Sequence, residues 1–81
     1  MAWQEAIIVT REAHLRAVLA EHASEWHLVV KDYLLCLEAA EAAEDVRATR
    51  FFAGKLVAAY SAMGFADKAA HYRELEALAQ G

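Results

Sequence analysis

The sequence contains no proline, and its three glycines, Gly54, Gly64 and Gly81, all lie in the second half of the chain. It also lacks segments in which polar and apolar residues alternate, the pattern of half-buried strands. Apolar residues instead recur at helical spacing, and alanine, a strong helix former, makes up about a quarter of the chain. The sequence therefore predicts an all-α protein, and its 81 residues allow a single helical domain, residues 1–81.

Basic clusters and long apolar runs are scarce as well. The formal net charge is −4 and no basic block is present, so nucleic acid is not expected as a partner. The longest uncharged run, 56–66, is too short to span a bilayer, so no membrane association is expected. No basic segment followed by an apolar run marks a signal peptide at the N-terminus. These features predict a cytoplasmic location.

The apolar periodicity predicts four antiparallel helices, arranged as two helical hairpins in either a bundle or a short stack. Their predicted ranges are 3–23, 26–43, 46–63 and 68–79. Three side chains are predicted to cap helix N-termini, namely Ser24, Asp45 and Asp67. Gly64 is predicted to follow the third helix with positive φ. A continuous helix over 25–63 is the alternative, but its length of roughly 58 Å would not fit a compact domain of this size.

The segment 26–43, WHLVVKDYLLCLEAAEAA, is apolar on nearly every side, which is typical of a helix that other elements surround. We therefore expect it to be the central helix, with Cys36 as a small buried hydrophobic residue. Asp32 is the charge out of place on it, and an isolated buried carboxylate is prohibitively costly. The expected partner is an arginine, and the candidates are Arg47, Arg50 and Arg73. A ligand contact or a catalytic role for Asp32 are the alternatives.

The third and fourth predicted helices contain a spaced set of residues: Leu56, Tyr60, Gly64 and Ala69. In this spacing, with Tyr72 as the following aromatic residue, residues 53–78 resemble a tetratricopeptide repeat. The resemblance implies a tight helical hairpin and a role in binding peptides or partner proteins. Ala53 departs from the family pattern, which usually has a large aromatic residue there, and residues 1–50 do not repeat the pattern at the 34-residue period.

Several side chains are candidates for contact with a partner, and we select Trp3, Trp26, Tyr33, Phe51 and Asp32. His22 and His27 flank the first turn and are the candidates for a metal site. Motifs of the His-Glu-x-x-His type and paired Glu-x-x-His motifs are absent from the sequence. No metal, cofactor or catalytic residue is therefore predicted.

A chain of this length buries only around 60–65% of its unfolded surface when it folds, and this one has apolar residues in excess. We therefore expect a small non-catalytic helical module that binds a protein or peptide, or that self-associates as a homo-oligomer. The alternative is a helical bundle that binds a small ligand or a metal, with or without catalysis, through Asp32 and the histidines.

Overall fold

A computed structural model describes the backbone of residues 2–79 and the side chains of residues 10–79. In this range the chain forms four helices and no strand: α1 (Ala2–His22), α2 (Trp26–Ala42), α3 (Val46–Ala62) and α4 (Ala66–Leu78). The all-α prediction is confirmed, and every helix boundary lies within two residues of its predicted position. The predicted break near Asp45 is confirmed, and the alternative of one continuous helix over 25–63 is wrong. Within the described residues, no helix has the length and apolar character needed to cross a membrane.

The helices are arranged in two layers. Each helix packs against the next one along the chain, and in the described range the α-carbons of non-consecutive helices do not come within 8 Å. The smallest dimension is 14 Å, which matches two layers whose helix axes lie about 9 Å apart with an α-carbon radius of about 2.3 Å. The rings of His14 in α1 and Phe52 in α3 contact each other, and α2 and α4 line one groove, so α1 and α3 share one layer and α2 and α4 share the other.

Three turns of one geometry connect the helices. Ser24, Glu44 and Gly64 have φ values of 55°, 55° and 81°, so the positive φ predicted for Gly64 is confirmed. In each turn the next residue donates its N–H to a carbonyl five residues back, as Glu25 does to Ala20 at 2.9 Å. This is the Schellman motif, which ends a helix and turns the chain sharply. Because the motif occurs at 24, 44 and 64, α2 and α3 each occupy 20 residues together with the turn that follows.

The interior of the protein follows the same 20-residue period. Residues at this spacing are buried together: Val29, Thr49 and Ala69; Ala13, Tyr33 and Ala53; Ala20, Ala40 and Tyr60. Two helices therefore span 40 residues, so a comparison at the 34-residue period does not detect the repeat.

One of the three predicted capping residues acts as predicted. Asp45 caps α3, since its carboxylate accepts the N–H of the residue three positions later at 3.0 Å. Ser24 does not cap α2, because it is the positive-φ residue of the turn and Glu25 is the N-cap, without a side-chain hydrogen bond. Asp67 lies within the first turn of α4, whose N-cap is Phe65. In all three turns the N-cap is the residue after the positive-φ position, so Ser24 lies one residue before the N-cap and Asp67 two residues after it.

The core lies between the two layers. Its largest fully buried side chains come from α2 and α3: Tyr33, Leu56, Val29 and Cys36. α1 contributes only alanines to the core among its described side chains, which lets α2 pack closely against it. α2 is the central helix in that it packs on both α1 and α3, but Leu28 and Leu35 are exposed. The expectation that α2 is surrounded on all sides is therefore wrong for one of its faces.

Replacing Ser24 or Glu44 by glycine should stabilise the protein, since the left-handed conformation costs a non-glycine residue about 1–2 kcal/mol. Glycine also loses more backbone entropy on folding, so the expected net gain in the free energy of unfolding is about 0.5–1 kcal/mol per site. Gly64→Ala should lower the free energy of unfolding by about 1 kcal/mol. Thermal unfolding followed by circular dichroism measures this as a shift of about 4–8 °C per kcal/mol.

The matched control is Ala43→Gly, one position earlier in the same turn, where φ is −86°. That backbone conformation suits any residue, so glycine there should give no gain. Equal stabilisation at positions 43 and 44 would contradict the explanation.

Candidate functional site

An open groove of about 650 Å³ lies between α2 and α4, the two helices of one layer. Its floor and walls are apolar, because Leu37 is buried and Leu34, Tyr72 and Leu75 are half-buried along it. Leu78 lies at one end and is 75% exposed. A concave apolar surface of this kind is where small domains usually bind a ligand or a partner.

Carboxylates surround the apolar floor of this groove. The acidic residues that line it are Glu38, Glu41 and Glu74, and all three are exposed. Among the described residues no lysine or arginine lines it, and His71 is the remaining titratable group besides Tyr72. The groove therefore combines an apolar floor with a rim of one charge sign.

Helical spacing explains why these residues lie together. On α2 the lining positions are 34, 37, 38 and 41, and on α4 they are 71, 72, 74, 75 and 78. Residues three and four apart share one face of a helix, so each helix contributes one strip of leucine flanked by glutamate. The Schellman turns place α2 and α4 in the same layer, where the two strips lie side by side.

Tyr72 has a fixed position on the wall of the groove. Its ring stacks on that of Tyr60, with centroids 5.6 Å apart and an interplanar angle of 7°. Burial, and then Tyr60 and the Glu41 carboxylate, raise the pKa of Tyr72, so its hydroxyl keeps its proton at neutral pH. The wall therefore offers a hydroxyl donor beside the acidic rim.

The predicted partner-binding residues do not form one surface. Trp26 is half-buried against the core, and Tyr33 is fully buried. Phe51 is exposed, with its ring edge-on to His14 and Phe52. The Trp3 side chain lies outside the described residues. Of the three aromatic side chains in this set that the structure describes, only that of Phe51 is exposed, and it does not line the groove.

Asp32 is buried and paired with an arginine of the same chain. Its side chain is 5% exposed, and Oδ1 accepts from Nε and Nη2 of Arg16 at 3.3 and 3.2 Å. The predicted arginine pair is confirmed, but all three suggested partners are wrong, since Arg16 comes from α1. Asp32 lies on the side of α2 that faces α1, which the sequence of α2 alone does not reveal. This carboxylate holds α1 against α2 and is not available to a partner.

A second polar contact links three helices. The Tyr33 hydroxyl of α2 donates to the Glu21 carboxylate of α1, and Lys55 Nζ of α3 lies 3.6 Å from the same carboxylate. Burial, and then the hydrogen bond to Glu21, raise the pKa of Tyr33, which stays a donor. The sequence does not reveal this contact, because each of these residues alone is typical of a solvated face or a core face.

Cys36 lies in the core, whereas His22 and His27 lie on the surface. Cys36 is buried, with Sγ 3.8 Å from the Thr10 carbonyl oxygen, and burial followed by the Asp32 charge raises the pKa of its thiol to about 11. It is therefore the inert buried residue that the sequence predicts. His22 and His27 are exposed. Across the described residues no three His, Cys, Asp or Glu side chains are arranged to hold a metal ion.

A second surface lies on the side of α1 and α2 that faces away from α3. We call it the leucine edge, and it consists of Leu15, Leu19, Leu28 and Leu35, which are 62%, 61%, 44% and 40% exposed. Leu19 and Leu28 flank a shallow depression of about 280 Å³ that the Arg16–Asp32 pair also lines. Exposed leucines grouped in this way are typical of an interaction surface.

Comparisons with protein-family models, with curated proteins and with solved structures find no match. The resemblance of residues 53–78 to a tetratricopeptide repeat therefore stays a prediction. The groove and the leucine edge are the surfaces from which a function can be inferred.

Replacing Arg16 by methionine should lower the free energy of unfolding by about 2–3 kcal/mol, because it leaves the Asp32 carboxylate buried without its cation. The double variant Arg16→Met/Asp32→Leu should recover most of that loss, since an apolar pair of similar size is often as stable as a buried ion pair. Urea unfolding of the single and double variants measures both effects.

Lys55→Met provides the comparison, because Lys55 also pairs with a carboxylate across helices, but that carboxylate, of Glu21, is 28% exposed whereas Asp32 is 5% exposed. Its expected loss is below about 1 kcal/mol, the usual value for an exposed pair. If Arg16→Met costs no more than Lys55→Met, the Arg16–Asp32 pair does not have the structural role assigned to it.

Proposed function

We propose that the chain is a small non-catalytic, cytoplasmic interaction module that binds a partner protein or peptide in the groove between α2 and α4. The observation that carries this proposal is the apolar floor of the groove, where Leu34, Leu37 and Leu75 line a surface open to solvent. A partner that lays an apolar strip along the floor would complete the burial of the half-buried Leu34 and Leu75 and would cover Leu37, which is already buried.

Burial of leucine supplies the binding energy in this proposal. Complete burial of an exposed leucine is worth about 1.5–3 kcal/mol, and Leu78, at 75% exposure, has the most to gain of the groove residues. The tight turns and the stacked Tyr60 and Tyr72 rings hold the groove in place before binding. A preformed groove lowers the ordering cost that a flexible surface would have.

A photoreactive benzophenone amino acid placed at Leu78 should crosslink one partner in extracts of the producing cells. Leu78 is largely exposed, so the replacement leaves the core intact. The same amino acid at Ala58, which is exposed on α3 and does not line the groove, is the matched control and should give no such product. Adding Leu75→Lys to the Leu78 variant should abolish the crosslink.

Capture from both positions alike, or capture at Leu78 that survives Leu75→Lys, would contradict binding in the groove. Mass spectrometry of the crosslinked product locates the contact on both proteins.

The leucine edge supports a second element of the proposal, self-association with a second copy of this chain. The exposed residues of α3 and α4 include arginines as well as small side chains: Arg47, Arg50 and Arg73, with Ala58, Ser61, Ala70 and Ala77. An apolar edge that can meet its own copy favours a closed two-fold dimer, in which leucine edge meets leucine edge, over an open stack. Glu12 and Lys31 flank the leucines, so this edge carries both charge signs and does not repel its copy as two acidic grooves would.

Leu19→Lys should shift the chain to monomer, because it places a charge in the middle of the dimer contact. Sedimentation velocity over a range of concentrations measures the association, and Ala58→Lys, which alters an exposed residue of α3 outside the leucine edge, should leave it unchanged. A wild-type chain that sediments as a monomer at every concentration would contradict this element of the proposal.

A further inference from the structure

We propose that the groove between α2 and α4 takes an amphipathic helix whose apolar strip is flanked by lysine or arginine. This inference rests on the proposed function of the groove and specifies its occupant. It combines two properties of the lining, the arrangement of the leucines and the sign of the charge.

The arrangement of the leucines suits a helix. The lining covers 34–41 of α2 and 71–78 of α4, two turns of each helix, or about 10 Å at 1.5 Å per residue. Since the α-carbons of α2 and α4 do not come within 8 Å of one another, the two helices leave a trough between them. A third helix seated in this trough would present residues at i, i+3 or i+4, and i+7 to the floor.

The charge of the rim determines which residues should border the apolar strip of that helix. Glu38 and Glu41 line the α2 side, Glu74 lines the α4 side, and no lysine or arginine among the described residues lies between them. A helix with basic residues on both borders of its apolar strip would therefore meet a carboxylate on each side. An acidic helix would face three charges of its own sign, and this repulsion would disfavour its binding in the groove.

The charge of the whole chain acts in the same direction. Its formal net charge is −4, so the field of the whole chain attracts a basic segment before the two molecules touch. The same field does not attract a second copy of this chain. The groove and the leucine edge therefore select different occupants. The groove takes a basic helix, and the edge, which carries both signs, takes a copy of the chain.

The test is selection from a phage-displayed library of 18-residue helical peptides with leucines fixed at one helical face and all other positions random. The wild-type chain is the bait. We expect the enriched peptides to carry a net positive charge, with lysine and arginine next to the leucine strip. Their binding should weaken several-fold between 50 and 300 mM salt, because the charge contacts are solvent-exposed.

The matched variants remove three charges each. Glu38→Gln/Glu41→Gln/Glu74→Gln should weaken the best peptide at least tenfold. The control Glu12→Gln/Glu25→Gln/Glu44→Gln has the same net charge and alters exposed residues outside the groove, so its affinity should stay within about twofold of wild type. Circular dichroism confirms that both variants keep their helices.

Enrichment of neutral or acidic peptides overturns the proposal, as does an equal loss of affinity in the two triple variants or a selection that yields no binder. The crosslinking experiment at Leu78 keeps the two proposals apart. A groove-dependent crosslink to a neutral or acidic segment retains the binding function and overturns only the basic helix. Loss of a groove-dependent crosslink overturns the function itself.

Discussion

The Schellman turn at the end of each of the first three helices is the constraint on which the architecture depends. Its hydrogen bonds end the helix and admit only three residues before the next helix begins. Consecutive helices must therefore pack side by side, and each following pair must sit beside the previous one. Because the turn recurs every 20 residues, alternate helices share a layer, which brings α2 next to α4 and leaves one side of α1 and α2 uncovered.

The composition of α2 reflects these several contacts. Val29, Tyr33 and Cys36 pack in the core, Leu34 and Leu37 line the groove, and Leu28 and Leu35 belong to the leucine edge. A helix with three apolar faces needs few polar residues, and the charged residue of α2 that is buried, Asp32, lies at the border between the core and the edge. Arg16 neutralises it from α1, with a side chain that is itself half-exposed. The pair stabilises the α1–α2 contact without burying a complete ion pair, whose desolvation would be costly.

Local patterns predicted most of the fold. Apolar periodicity placed four helices, and the side chains of Asp45 and Gly64 marked two boundaries through the hydrogen bond and the positive φ that they favour. Ser24 and Glu44 were not recognised as positive-φ residues, because that conformation is usual for glycine and the tertiary contacts impose it here on other residues. The 20-residue period is not evident in the sequence for a related reason. Equivalent positions such as Val29, Thr49 and Ala69 share burial but not chemical identity.

By itself, the sequence determined the helices, their approximate ends, the buried state of Cys36 and the need of Asp32 for a cation, because these depend on neighbours within one or two turns. Only the tertiary structure decided that the cation is Arg16 and that Glu38 and Glu41 share a groove with Glu74. Each of these glutamates alone reads as part of a solvated helix face. Contacts between residues far apart in the chain depend on which face each helix turns toward the others, and helical periodicity repeats along a helix without specifying its neighbour. Which helix faces meet is set by how the four helices pack together.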